Sequence, residues 1–169
     1  LNSLSNRDKL GEFQQECMTL AIDYIKDRSL RILSLISPQR EHLILDLGCG
    51  VGTLTIECAK RELFAVGIDF SNNAVKISKN LTRKLKITGN SEIVRADVQH
   101  LPFVPNVFDR IIAADLVEHL YRDQYRTALN DWFTALKNGG KIVIYTDNPD
   151  HLKYRSAFPF RLFSKLSSL

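Results

Sequence analysis

Apolar residues change their period at Pro38. Before it, Phe13, Cys17, Leu20, Ala21, Tyr24 and Ile25 recur at three- and four-residue spacings, which predicts a helix over residues 8–28. A short helical run from Leu30 to Ile36 follows. It is expected to stop at Ser37-Pro38, because proline pushes the residue before it out of the α region. Beyond this point short, nearly continuous apolar runs alternate with amphipathic stretches. Leu43–Leu47 reads as a strand, Thr53–Lys60 as a helix and Phe64–Ile68 as a second strand. Ser71 has the chemistry of an N-cap for a helix running to about Leu85. Ser91–Ala96 and Phe108–Ala113 read as the third and fourth strands, and Asp123 to about Leu136 as a helix. Asn138-Gly139-Gly140 is expected to end that helix, and Lys141–Tyr145 to form a fifth strand.

Strands alternating with helices at this spacing imply right-handed crossovers and a parallel sheet covered on both faces. Continuous apolar runs suit strands buried from both sides. The predicted fold is therefore α/β, a Rossmann-like, doubly wound and mainly parallel sheet. No repeat or linker divides the chain, so residues 1–169 read as a single domain. Within it residues 1–37 are N-terminal helices, 42–146 a binding core and 147–169 a basic, aromatic tail. The early helix with Phe13 and Tyr24 suits either a lid or a simple packing role.

Ligands of such sheets bind outside the carboxyl ends of the strands. Asp46, Asp69 and Asp97 fall at or near three successive ends. The first stands beside the turn Gly48-Cys49-Gly50-Val51-Gly52, whose glycines permit a sharp strand-to-helix turn and close approach of a ligand. The helix start that follows favours a carboxylate or another anion. Asp69 can accept from the two hydroxyls of a ribose, and Asp97 from an exocyclic amine such as that of adenine. Together they describe a nucleoside with an adjoining charged group. The dinucleotide pattern G-x-G-x-x-G is not met, because Thr53 occupies the place of its third glycine.

Charge and cysteine content narrow the field. Four of the 23 basic residues and none of the 19 acidic ones follow Asp150, so residues 1–150 hold 19 of each and the net +4 resides in the tail. A neutral body does not suit a nucleic-acid binder. Cys17, Cys49 and Cys58 form no C-x-x-C pair and no metal-ligand spacing with histidine. They read as reduced thiols of a cytoplasmic protein, with no metal expected.

Four segments taken in order resemble the successive motifs of class I S-adenosylmethionine-dependent methyltransferases. They are Asp46–Gly52, Gly67–Ser71, Ala96–Phe103 and Phe108–Ile112, and the similarity extends over residues 42–146. The nearest likeness is to the small-molecule subgroup that includes the ubiquinone-biosynthesis type. The resemblance implies that Gly48, Cys49, Gly50 and Gly52 run along the methionine part of the cofactor, with Asp46 near its amino group. It implies Asp69 on the ribose, Phe70 or Ser71 beside the adenine, Asp97 on the adenine amine and the Val98 N–H on a ring nitrogen. Ala114 and Asp115 would lie near the methionine end. The segment Leu116–Leu120 would line the space where acceptor meets methyl group.

The implied reaction converts S-adenosylmethionine to S-adenosylhomocysteine by in-line displacement onto a small-molecule acceptor. His119, Glu118 and Asp115 are the candidate bases where the acceptor must lose a proton. A non-catalytic module of the same fold and a nicotinamide-dependent oxidoreductase are the competing readings. The family's sheet has seven strands, the last two forming an antiparallel hairpin. No clean pair of strands is legible after Tyr145, so the last two are expected to be missing. The tail residues Lys153, Tyr154, Arg155, Phe158, Phe160, Arg161, Phe163 and Lys165 mix aromatics with positive charge. They suit a helix leading onward better than a membrane-surface contact. The sequence leaves the oligomeric state open.

Overall fold

The computed structural model describes residues 23–146 and the strand at 160–164. The chain resolves into two units, residues 1–31 and 32–169. Residues 23–36 are helical (α1), and only 23–31 of the first unit are described. The break expected between residues 28 and 30 is absent. Ser29 fits within the helix because its hydroxyl donates to the Ile25 carbonyl at 2.8 Å. The helix ends before Ser37-Pro38, as expected, with Ser37 in the left-handed region at φ +46°. Phe13, Cys17, Leu20 and Ala21 of the predicted early helix lie outside the described residues.

The elements that follow are β1 (Leu43–Leu47), α2 (Thr53–Lys60), β2 (Phe64–Asp69), α3 (Asn72–Lys84), β3 (Ser91–Arg95), β4 (Phe108–Ala114), α4 (Arg122–Ala135), β5 (Leu136–Tyr145) and β6 (Phe160–Ser164). They build one sheet in the order β3-β2-β1-β4-β5-β6. The first five strands are parallel, with Leu45 of β1 facing Val66 of β2 on one side and Ile111 of β4 on the other. This is the α/β sheet the alternating pattern predicts. Phe160–Ser164 adds a strand in the tail where none was legible, antiparallel to β5 with Val143 opposite Leu162. The other tail positions named above, Lys153, Tyr154, Arg155, Phe158 and Lys165, lie outside the described residues.

Period-2 alternation along the strands feeds two cores. Leu45, Leu47, Ile111, Ala113, Ile142 and Ile144 pack with Ala128 and Trp132 of α4. Ile44, Ile112 and Val143 pack instead with Ile32, Ile36, Leu54 and Cys58. Trp132 is fully buried, as its helical spacing suggests, and truncating it to alanine would cost about 3–5 kcal/mol.

The junction between α4 and β5 differs from expectation. The helix ends at Ala135, before Asn138-Gly139-Gly140, and β5 begins at once with Leu136. Leu136 is wholly buried and faces Phe108, whereas Arg110 two residues on faces Lys141, so the residues between bulge out. The last helical carbonyls, of Thr134 and Ala135, accept from the N–H groups of Asn106 and Val107 at 2.9 Å each. Cross-chain capping therefore stops the helix, and the glycines serve the bulge, where Gly139 sits at φ +77°.

Candidate active site

The strand order reverses between β1 and β4, and the carboxyl ends of β1 to β4 open around a cavity of about 490 Å³. Sequence dictates this locally, because each strand ends in a residue that bonds the next turn. The Cys49 N–H donates to the carbonyl of Ile68 at 2.8 Å, tying the glycine turn to the end of β2. The two oxygens of Asp69 accept from the N–H groups of Gly50 at 2.9 Å and Ser71 at 2.8 Å. Ser71 caps α3 as predicted, its hydroxyl accepting from Ala74 N–H at 3.3 Å.

Gly52 precedes α2 at φ +87°, and a Cβ there would stand 2.1 Å from the Ser78 hydroxyl. Glycine alone lets the turn pass so close to α3. At Gly48 the backbone lies at φ +64°, which favours glycine, and a Cβ there would meet the end of the Leu116 side chain at 2.9 Å.

Of the twelve residues expected to bind a cofactor, Gly48, Asp69, Phe70, Asp97, Val98 and Asp115 line the cavity. Asp46, Cys49, Gly50, Gly52, Ser71 and Ala114 are not among the lining residues. Asp46 is buried, and its carboxylate accepts from the Thr55 N–H at 3.0 Å and the Thr55 hydroxyl at 2.7 Å. It thereby fixes the first turn of α2. Burial, reinforced by the charges of Asp46 and Asp69, pushes the Cys49 thiol far above its ordinary range, so it packs as a neutral group.

Among the candidate bases, Asp115 and His119 line the cavity and Glu118 does not. Asp115 sits at φ +50°, with its N–H donating to the Tyr145 carbonyl at 2.8 Å. His119 is exposed on the short 3₁₀ turn Val117–His119. Tyr121 and Gln124, absent from the sequence-derived set, also face the cavity, and Gln124 accepts from the Tyr121 N–H at 3.0 Å. Gln99 lines it as well, beside Val98. Tyr121 is 80% exposed and Phe70 77%, large aromatics left at the mouth. Neither exposure is readable from periodicity, although both residues follow directly on strand or turn ends.

The electrostatics are one-sided. Asp69, Asp97 and Asp115 contribute carboxylates, and among the described residues no lysine or arginine lines the cavity. Such carboxylates favour hydroxyls, amines and a cation.

A family model described as a methyltransferase domain matches residues 44–140, more than half of the chain. The chain belongs to the methyltransferase domain family. Its motifs and relatives place it with the class I S-adenosylmethionine-dependent methyltransferases. It is 29% identical over 153 residues to an uncharacterised protein of Methanocaldococcus jannaschii, covering 90% of this chain and 62% of that protein. It is also 29% identical over 117 residues to a ubiquinone/menaquinone biosynthesis C-methyltransferase of Sinorhizobium fredii, covering 67% of this chain and 45% of the relative. The chain thus spans less than two thirds of each relative's length. Among solved structures, a geranyl diphosphate methyltransferase in complex with S-adenosylmethionine superposes with a TM-score of 0.65 at 18% identity. That match covers 71% of this chain and 48% of the other, and it shows the shared methyltransferase fold. The site's residues fit the family's cofactor, because glycine at 48 leaves the wall free of a side chain and three carboxylates line the cavity, where they can accept from hydroxyls and an amine and attract a positive charge.

Proposed function

We propose that this chain binds S-adenosylmethionine in the cavity and transfers its methyl group to a small-molecule acceptor. The observation that carries the reading is the convergence of Gly48, Asp69 and Asp97 on one cavity. Thr53 in place of the third glycine of G-x-G-x-x-G weighs against a nicotinamide dinucleotide.

When bound, the cofactor supplies a methyl group on a positively charged sulfur, a leaving group activated in advance. Asp69 already holds Gly50 and Ser71, so its remaining acceptor sites lie ready for ribose hydroxyls. Asp97 would accept from the adenine amine, beside the Val98 N–H. Asp46 acts from behind by fixing α2 through Thr55. Phe70 borders the purine, and Asp115 faces the methionine end. His119 is the base we favour for an acceptor that must lose a proton, since it lines the cavity and Glu118 does not. The rest of the rate enhancement comes from holding acceptor, carbon and sulfur in line within about 3–3.5 Å.

Calorimetric titration with S-adenosylhomocysteine, with NADH as control, tests the reading. Binding of the first alone is expected, and binding of NADH alone or of neither overturns it. Asp69→Ala removes charge-assisted bonds of about 1.5–3 kcal/mol each and should weaken binding roughly tenfold or more. Unchanged affinity in that variant refutes the ribose assignment.

A further inference from the structure

Two adjacent residues of α4 reach the adenine side of the cavity from outside it. The indole Nε1 of Trp132 donates to the Val98 carbonyl at 2.8 Å. One carboxylate oxygen of Asp131 accepts from the Leu101 N–H at 3.0 Å. Neither residue is among those lining the cavity. Trp132 is fully buried and meets Tyr125 edge to face, with ring centroids 6.4 Å apart, so packing fixes the direction of its N–H. The segment between these anchors is folded on itself, since Asp97 accepts from the N–H groups of Gln99 at 2.9 Å and His100 at 3.2 Å. The turn that presents Asp97 and Val98 is therefore held at both ends by one rigid helix. Recognition of a flat heterocycle by an edge requires its partners to be placed within a few tenths of an ångström, a precision that exposed turns do not have by themselves.

We propose that Asp131 and Trp132 are positioning residues that set the purine selectivity of the site, a role that rests on the reading of Asp97 and Val98 given above. Asp97 offers only acceptors. An amine on the purine meets them as a donor, whereas a carbonyl in its place, as in an inosine analogue, meets them with like polarity. Selectivity follows only where the carboxylate is held against that edge. Slackening the turn lets it swing away, with a loss of affinity for the amino-purine and a smaller loss for its oxo counterpart.

The test is calorimetric titration of S-adenosylhomocysteine and S-inosylhomocysteine into the wild-type chain, Asp131→Leu, Asp131→Asn and Trp132→Phe, with thermal unfolding measured in parallel. The wild-type chain should prefer the adenosyl compound by roughly tenfold or more. Asp131→Leu should lose most of that preference. Asp131→Asn should keep it, because the amide oxygen still accepts from Leu101 N–H. Trp132→Phe, which retains a buried ring without the N–H, should behave like the leucine variant. A purely structural role would lower both affinities in parallel with the melting temperature and leave their ratio unchanged, which overturns the proposal. Equal losses in the leucine and asparagine variants overturn it too. A wild-type chain that binds both compounds alike removes the purine role of Asp97 and the proposal with it. Binding of neither instead refutes the underlying reading of the site.

Discussion

Replacing Gly52 by alanine strikes the glycine turn where it has least room. The added Cβ would stand 2.1 Å from the Ser78 hydroxyl and 3.3 Å from the Ser78 Cβ. At φ +87° the backbone is also in a region that costs a residue bearing a Cβ about 1–2 kcal/mol. Overpacking against the buried hydroxyl adds about 1–3 kcal/mol, so the substitution should destabilise the fold by roughly 2–5 kcal/mol. Ser78→Ala taken alone should be close to neutral or stabilising, because it deletes a buried hydroxyl that has no hydrogen-bond partner. In the double variant the worst overlap is gone, while the strained φ and the 3.3 Å contact remain. Urea unfolding of the four chains in a double-mutant cycle should therefore give a favourable coupling of about 1 kcal/mol or more. Additive effects, or a harmless Gly52→Ala, would refute the claim that close approach to Ser78 is what demands glycine.

Two further predictions concern titratable groups away from the cavity. Burial, and then the charge of Asp46, pushes the Cys58 thiol up to about 12, so thiol reagents should label it at pH 8 only as fast as the chain unfolds. Rapid labelling under native conditions, in a Cys17→Ser, Cys49→Ser background, would show that Cys58 is accessible. At the opposite pole of the sheet, burial and then the charge of Arg110 lower the pKa of His42, whose Nδ1 accepts from the Gln39 N–H at 2.9 Å. Burial alone would raise the pKa of Asp109, but hydrogen bonds from Lys137 at 2.8 Å and the Leu43 N–H at 2.9 Å outweigh it and lower the value. Both groups release protons more readily in the folded state, so their contributions are complete above the unfolded values and fade on acidification. Thermal stability should fall from about pH 6.5 downward through His42, and again below about pH 3.8 through Asp109. His42→Asn should remove the first limb and Asp109→Asn the second, and profiles unchanged by these variants would contradict the assignment.

Most of the sheet was legible because β1, β2 and β4 are short and largely apolar, and the turns after β1 and β2 carry glycine or capping residues. Ser71 capped α3 where its hydroxyl predicted, and α2 began at Thr53. What escaped the sequence depends on partners far along the chain. The end of α4 is decided by Asn106 and Val107, some thirty residues earlier, and local glycines misdirected the expectation. The break expected between residues 28 and 30 is absent, and the bond from the Ser29 hydroxyl back to Ile25 that fits serine into the helix exists only once the turn has formed. Tyr121 and Gln124 face the cavity by virtue of where α4 begins, and their residue types announce nothing. Trp132 read as core, and it is core. Its single polar atom nevertheless finds Val98, thirty-four residues away.

The three carboxylates that line the cavity bear on turnover as well as on capture. Under the proposed activity the ligand enters with a positive sulfur and leaves with a neutral one, while Asp69, Asp97 and Asp115 keep their places around it. The Coulombic part of the attraction vanishes in the chemical step itself, and the hydrogen bonds to ribose and purine remain. The same carboxylates that draw the donor in thus loosen their grip at the moment the methyl group departs.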